Sequence, residues 1–138
     1  MPDMAEDEAR QRFADARVAR LATVDAGGRP HLVPLVFAVR DDLVVSAVDH
    51  KPKRSPRLKR LHNIATNPAV CLLADAYDDD WDRLWWARAD GFARLATPQE
   101  ARDAVALLRE RYEPYRRWPP DGPVMLVVVR RWRGWRAV

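Results

Sequence analysis

The densest concentration of chemistry in the sequence is a run of cations. Lys51, Lys53, Arg54, Arg57, Lys59 and Arg60 fall within ten residues, directly after the apolar segment 43–48 and the pair Asp49-His50. Ser55-Pro56 then reads as a helix start, with serine as N-cap and proline in the first turn, and Asn67-Pro68 reads as its end. A strand, a basic loop and a helix start in that order make an anion site. Free N–H groups and the positive end of the helix dipole add to lysine and arginine charges facing a phosphate or carboxylate. A solvated basic loop has the same composition; the order of the elements is what favours a ligand.

No other motif in the chain carries chemistry as clearly. The three histidines, His31, His50 and His62, lack metal-ligand spacing, and neither a dinucleotide-binding glycine pattern nor a phosphate-binding P-loop is present. No metal site is expected, and no residue qualifies as catalytic. His31 begins a strand and is a candidate ligand contact, whereas His62 reads as a surface or packing residue. Trp81, Trp85 and Trp86 suit core, interface or a stacking platform for a planar ring. Trp132 and Trp135 stand three apart on a strand, hence on opposite faces, and one of them belongs to the core.

The composition bounds the class. A chain of 138 residues, 48% hydrophobic, is one domain (1–138) with enough apolar surface for a core. Its 24 Lys+Arg against 20 Asp+Glu give a net charge of +4, enough to attract small anions but too mild to demand nucleic acid. A single cysteine, Cys71, excludes an intrachain disulfide. The acidic opening residues lack an apolar targeting segment, and the run 124–129 is too short to span a bilayer, so a soluble cytoplasmic protein is expected, with no membrane or nucleic-acid partner.

The elements that must position the basic run can be read in order. Residues 3–16 form a helix, and 18–24 a strand followed by the hairpin turn Asp25-Ala-Gly-Gly28. Residues 30–40 alternate as one strand, with His31, Val33, Leu35, Phe37 and Val39 on one face. Pro34 on the other face marks an edge, a bulge or an opening in the ladder. A third strand (43–48), the helix after Pro56, and strands at 69–76 and 84–96 follow. In the 84–96 strand Trp85, Ala87, Ala89, Gly91 and Ala93 make a small-residue face that admits another backbone or a flat ligand. Thr97-Pro98-Gln99-Glu100 is a capping box opening a helix whose stripe is Ala101, Val105, Leu108, Tyr112 and Tyr115, and 124–137 is the last strand. The short turns force antiparallel pairing, and six strands with irregularly placed helices predict a mainly β fold closed as a small barrel.

The segments RVARLATVDAGGRPHLVPLVFAV, LVVSAV and LKRLHNIATNPAVCLLAD together resemble the pyridoxamine-phosphate-oxidase-like split β-barrel proteins. DDDWDRLWWARADGFARL and the closing RWRGWRAV are similar to the actinobacterial branch of that class, which uses coenzyme F420. The resemblance spans about residues 8–138. It implies a six-stranded antiparallel Greek-key split barrel with flanking helices, acting as a homodimer with the cofactor at the interface. The cofactor would be coenzyme F420 or, in other branches, FMN. By position, Lys51, Lys53, Arg57, Lys59 and Arg60 match the phosphate-binding turn and helix start, with Asn63 three residues beyond Arg60. His31, Val33 and Pro34, and Ser46, Val48 and Asp49, match the strand edges that hold the ring, and Trp81 and Trp85 match a wall from the partner chain. Val33 and Pro34 stand where relatives often carry polar side chains, which removes side-chain bonds to the ring.

The resemblance thus implies a hydride-transferring oxidoreductase acting on a small electron-poor substrate. A long polyanion such as coenzyme F420 suits six cations better than the smaller FMN. The rivals are an FMN- or haem-handling member of the same fold, and a cofactor-binding protein without turnover.

Overall fold

The computed structural model describes residues 3–48 and 59–138. Helix α1 (Glu6–Asp15) leads into strands β1 (Ala19–Val24), β2 (Pro30–Leu35), β3 (Ala38–Arg40) and β4 (Leu43–Ala47). Then come α2 (Lys59–Thr66), β5 (Ala69–Ala76), a 3-10 turn (Trp81–Arg83), β6 (Trp85–Leu95), α3 (Pro98–Arg111), α4 (Glu113–Arg117) and β7 (Val124–Arg136). All pairings are antiparallel, in the order β2-β1-β5-β6-β7-β4-β3.

The two ends of that order are joined by only Val36 and Phe37. Two residues cannot span an open sheet of seven strands, so the sheet curls until its edges meet. This corrects the expected strand count from six to seven. Residues 30–40 break into two strands because the chain leaves β1 at Leu35 and joins β4 at Ala38. The backbone groups stranded at the break are bonded by side chains. Ser46 Oγ donates to the Val36 carbonyl at 2.8 Å. The Tyr112 hydroxyl accepts from the Phe37 N–H at 3.2 Å and lies 2.9 Å from the Phe37 and Arg17 carbonyls, one of which takes its proton. Arg111 donates to the Ala14 and Ala16 carbonyls at the end of α1 and lies over the Phe37 ring at 5.0 Å.

Pro34 lies in a strand paired on one side only. Its missing N–H faces away from β1, and Pro30 removes a second donor from the same free edge, which discourages pairing with a stray strand.

The inward faces of the barrel strands share one apolar core with α1. Phe13 stacks against Phe37 with ring centroids 4.8 Å apart and meets Trp132 edge-on at 5.4 Å. The small-residue face of β6 is spent here: Ala87, Ala89 and Ala93 are buried in that core, and α1 packs on β6 and β7. A side chain at position 134 would block this seat, since a Cβ on Gly134 would stand 2.7 Å from Met4 Sδ and 3.1 Å from Ala9 Cβ. Strands β4 and β7 are covered on both faces. Val44, Met125 and Val127 point into the barrel, while Val45, Ala47, Val124 and Leu126 lie under α3 with Ala104, Leu108 and Tyr115. That explains why these strands read as continuous apolar runs rather than alternating ones. Of the tryptophan pair on β7, Trp132 is the core member.

The capping box forms as expected: Thr97 Oγ1 accepts from the Glu100 N–H, and Glu100 accepts from the Thr97 N–H at 2.9 Å. Among the described residues no helix is long and apolar enough to cross a membrane.

Two predictions follow from these contacts. Tyr112→Phe and Ser46→Ala each strand backbone groups at the strand break and should cost about 1–3 kcal/mol in denaturant unfolding. Glu100 is held at a pKa of about 2, against an ordinary 4.5, first by the bidentate Arg94 guanidinium and then by the Thr97 N–H. A depressed carboxylate stabilises the fold above its unfolded pKa, and the effect fades as pH falls from about 4.5 toward about 2. Thermal melts across that interval should show a shallower acid loss for Glu100→Gln than for the native chain.

Candidate functional site

Polar side chains gather where α2 meets the β1–β2 hairpin. Thr23 is an inward position of β1 in the series Ala19, Leu21, Thr23, all buried, so its hydroxyl requires a partner. Asn63, fully buried on α2, supplies it: Nδ2 donates to Thr23 Oγ1 at 2.9 Å. His31 is the cross-strand neighbour of Thr23. Its Nδ1 and the Asn63 Oδ1 are both buried and make no hydrogen bond among the described residues. Two buried polar atoms without a described partner, beside a satisfied pair, leave hydrogen-bonding capacity at this junction for a further group.

The rim of this junction is charged. Asp25 closes the hairpin turn by accepting from the Gly27 and Arg29 N–H groups, each at 2.9 Å, and Gly28 takes the left-handed φ of 84° that the turn needs. Lys59 Nζ reaches the other Asp25 oxygen at 3.5 Å. The Arg29 N–H is the largest influence holding the Asp25 carboxyl below its ordinary range. Burial opposes it, and Gly27 and Lys59 add to the lowering. Lys59 and Arg60 are the first described residues of α2, Lys59 lies beside a fixed carboxylate, and its half-exposed ammonium keeps donors for a further anion.

The residues expected at the site fall into three groups. His31, Lys59 and Asn63 fall at the junction, Arg60 follows Lys59 on α2, and Val33, two residues along β2 from His31, packs against the core. Pro34, Ser46 and Val48 lie elsewhere. Pro34 is exposed on the outer face, Ser46 Oγ is committed to Val36, and the Val48 backbone is clamped by Pro123 and Gly122. Trp81 and Trp85 form the third group, at the opposite end of the sheet. Trp85 packs on the core with the Arg12 guanidinium 5.5 Å from its ring centre, whereas Trp81 is 74% exposed. Asp49, Lys51, Lys53 and Arg57 lie outside the described residues.

Strand β5 runs between the junction and the Trp81 turn, so the two ends of a single chain are roughly 20 Å apart. A ring held at Lys59 and Asn63 therefore cannot also touch Trp81 of the same chain. Thr23 and Asp25 are the members that the sequence reading passed over. Their signals were a hydroxyl on a core-facing strand position and an aspartate two residues before a glycine pair. Among the described residues no group of three or more His, Cys, Asp or Glu side chains gathers as a metal site.

An antiparallel sheet closed at one kink, with helices packed on it, defines a split barrel. The chain belongs to the pyridoxamine 5'-phosphate oxidase family, whose model matches residues 5–136. Solved structures share the fold. A FAD-binding protein from Mesorhizobium loti superposes with a TM-score of 0.73 at 19% identity, covering 96% of this chain and 95% of that one. The FAD-binding protein of Mycobacterium smegmatis gives 0.67 at 18% identity, covering 98% of both. The haem storage protein HutZ of Vibrio cholerae gives 0.67 at 17%, covering 91% of both. A comparison with curated proteins finds no match.

The Thr23–Asn63 bond ties α2 to the hairpin without touching the rim. Asn63→Ala and Thr23→Val should each lower unfolding stability by about 1–3 kcal/mol, because each leaves the other side chain buried without its partner. Lys59→Ala, at an exposed pair, should change stability by less than about 1 kcal/mol.

Proposed function

We propose that the protein is an oxidoreductase that binds coenzyme F420 at the α2–hairpin junction and reduces a small electron-poor organic molecule. One observation carries this reading: on α2 the cations Lys59 and Arg60 come within a turn of Asn63, whose Oδ1, like the buried His31 Nδ1, makes no hydrogen bond among the described residues. Charge at the rim and unpaired polarity within suit a molecule that is anionic at one end and a heteroaromatic ring at the other. Lys59 and Arg60 would hold the phosphate, together with cations of the preceding basic run. When bound, the reduced deazaflavin supplies a hydride.

The chain's own contribution is to orient and to exclude water. The buried Thr23–Asn63 bond fixes α2 against the hairpin, so the cations are aimed by a rigid element rather than by a loop. His31 and Tyr77 are the candidates for handing a proton to product. A homodimer is part of the proposal, because Trp81 reaches a ring at the junction only from a second copy. So is a cytoplasmic setting, consistent with an unpaired Cys71.

FMN is the second reading. It is favoured by the flavin-binding proteins among the similar folds. Fluorescence titration with coenzyme F420 and FMN in parallel separates the two. The proposal predicts tighter binding of coenzyme F420, weakened about tenfold by Lys59→Ala or Arg60→Ala and reduced by salt. Tight FMN binding alone would transfer the protein to the flavin branch. Failure to bind either at low salt would refute the site.

A further inference from the structure

The junction between α2 and the β1–β2 hairpin is polar at two depths. At the rim, Lys59 Nζ lies 3.5 Å from Asp25, and its side chain is half-exposed. Deeper in, Thr23 and Asn63 are 1% and 0% exposed, and Asn63 Nδ2 donates to Thr23 Oγ1 at 2.9 Å. His31 stands opposite Thr23 across the hairpin. Asn63 Oδ1 and His31 Nδ1 are both buried and make no hydrogen bond among the described residues. Strand and helix give the inner layer the same depth. Thr23 precedes Asp25 by two residues of extended chain, about 7 Å, and Asn63 follows Lys59 by one helical turn, about 6 Å.

These two buried atoms restrict what can satisfy them. An amide oxygen only accepts, so Asn63 Oδ1 needs a donor. A histidine ring nitrogen donates or accepts according to its tautomer. A hydroxyl serves both, because it carries a proton as well as lone pairs. A phosphate, carboxylate or ketone offers no proton to Asn63, and an apolar chain offers nothing to either atom. Buried polar atoms are costly when unpaired, so hydroxyls are the favoured occupants.

We propose that the inner layer of the junction binds a polyhydroxylated carbon chain whose phosphate is held at Lys59. One hydroxyl donates to Asn63 Oδ1, and another shares a hydrogen bond with His31 Nδ1. In such a ligand the hydroxyls follow the terminal phosphate within the separation that strand and helix both set. The inference deepens the function proposed above and rests on it for the rest of the ligand, since coenzyme F420 and FMN both join phosphate to ring through a ribityl chain. The ring then lies beyond the linker, on the open side of the junction, where a second copy can reach it. A haem has no such linker and would leave both buried atoms unpaired.

Ring-free ligands test this without engaging the rest of the site. Isothermal titration calorimetry at low salt would compare ribitol 5-phosphate with pentyl phosphate, which matches it in chain length and charge and lacks the hydroxyls. The native chain should bind ribitol 5-phosphate at least about tenfold more tightly. His31→Phe and Asn63→Ala, each checked for native circular dichroism, should cut that preference below about threefold and leave the affinity for pentyl phosphate within about twofold. Equal affinity of the two ligands for the native chain would overturn the inference, and would leave the proposed function standing where coenzyme F420 still binds. A preference that survives both substitutions would overturn its assignment to these atoms. Preference for ribitol 5-phosphate without binding of coenzyme F420 or FMN would uphold the polyol site and overturn the function. Binding of none of the four would overturn both.

Discussion

The structure depends on the break at Val36–Phe37. One segment of chain serves both edges of the sheet, with two residues to travel from one to the other, so closure of the barrel is obligatory. The cost is a set of backbone groups that neither ladder can satisfy. Ser46 and Tyr112 meet that cost from opposite sides, the first from inside β4 and the second from the end of α3. Arg111 then ties the same helix end to the last carbonyls of α1. Burial disfavours its charged form, so the guanidinium is retained there by carbonyl oxygens and by the faces of Phe37 and Tyr112. The kink, the two helices and the Phe13–Phe37–Trp132 cluster therefore stand or fall together.

Closure also decides where chemistry can occur. The interior is filled by α1 and aromatic rings, leaving no space for a ligand among the alanines of β6. What remains is the junction at one end of the barrel, where the buried Asn63 amide bonds the Thr23 hydroxyl, His31 stands opposite Thr23 on the next strand, and Lys59 holds the rim at Asp25. The Trp81 turn lies at the other end. Neither location resembles a complete site alone: one has charge and polarity without a stacking surface, the other has a ring without cations. Under the proposed function, two copies bring these unlike ends together, and assembly is then a condition of function rather than an addition to it.

Much of this was legible in the sequence, for identifiable reasons. The hairpin turn, the capping box and β5 are set by local chemistry, and each appears where residue type and spacing put it. The family was legible because its segments extend over nearly the whole chain. The strand break was not. Alternation from His31 to Val39 continues through residues 36 and 37, since both halves turn the same side inward, and only the change of pairing partner separates them. The small-residue face of β6 suggested a flat ligand or another backbone equally well, and it is α1 that sits there. Ser46 offered a polar group to a ring by position, yet its hydroxyl is spent on Val36, a demand created by tertiary closure and invisible in composition. Thr23 and Asn63 are 40 residues apart in sequence, so their bond had no local signature.

The central claim is that a cofactor site is assembled from two ends of the barrel that belong to different chains. Hydrogen exchange read by mass spectrometry, with and without saturating coenzyme F420, tests it directly. The account predicts added protection both in α2 with the β1–β2 hairpin and in residues 77–86, regions that one chain holds roughly 20 Å apart. Protection confined to one end, or absent from both, would contradict it.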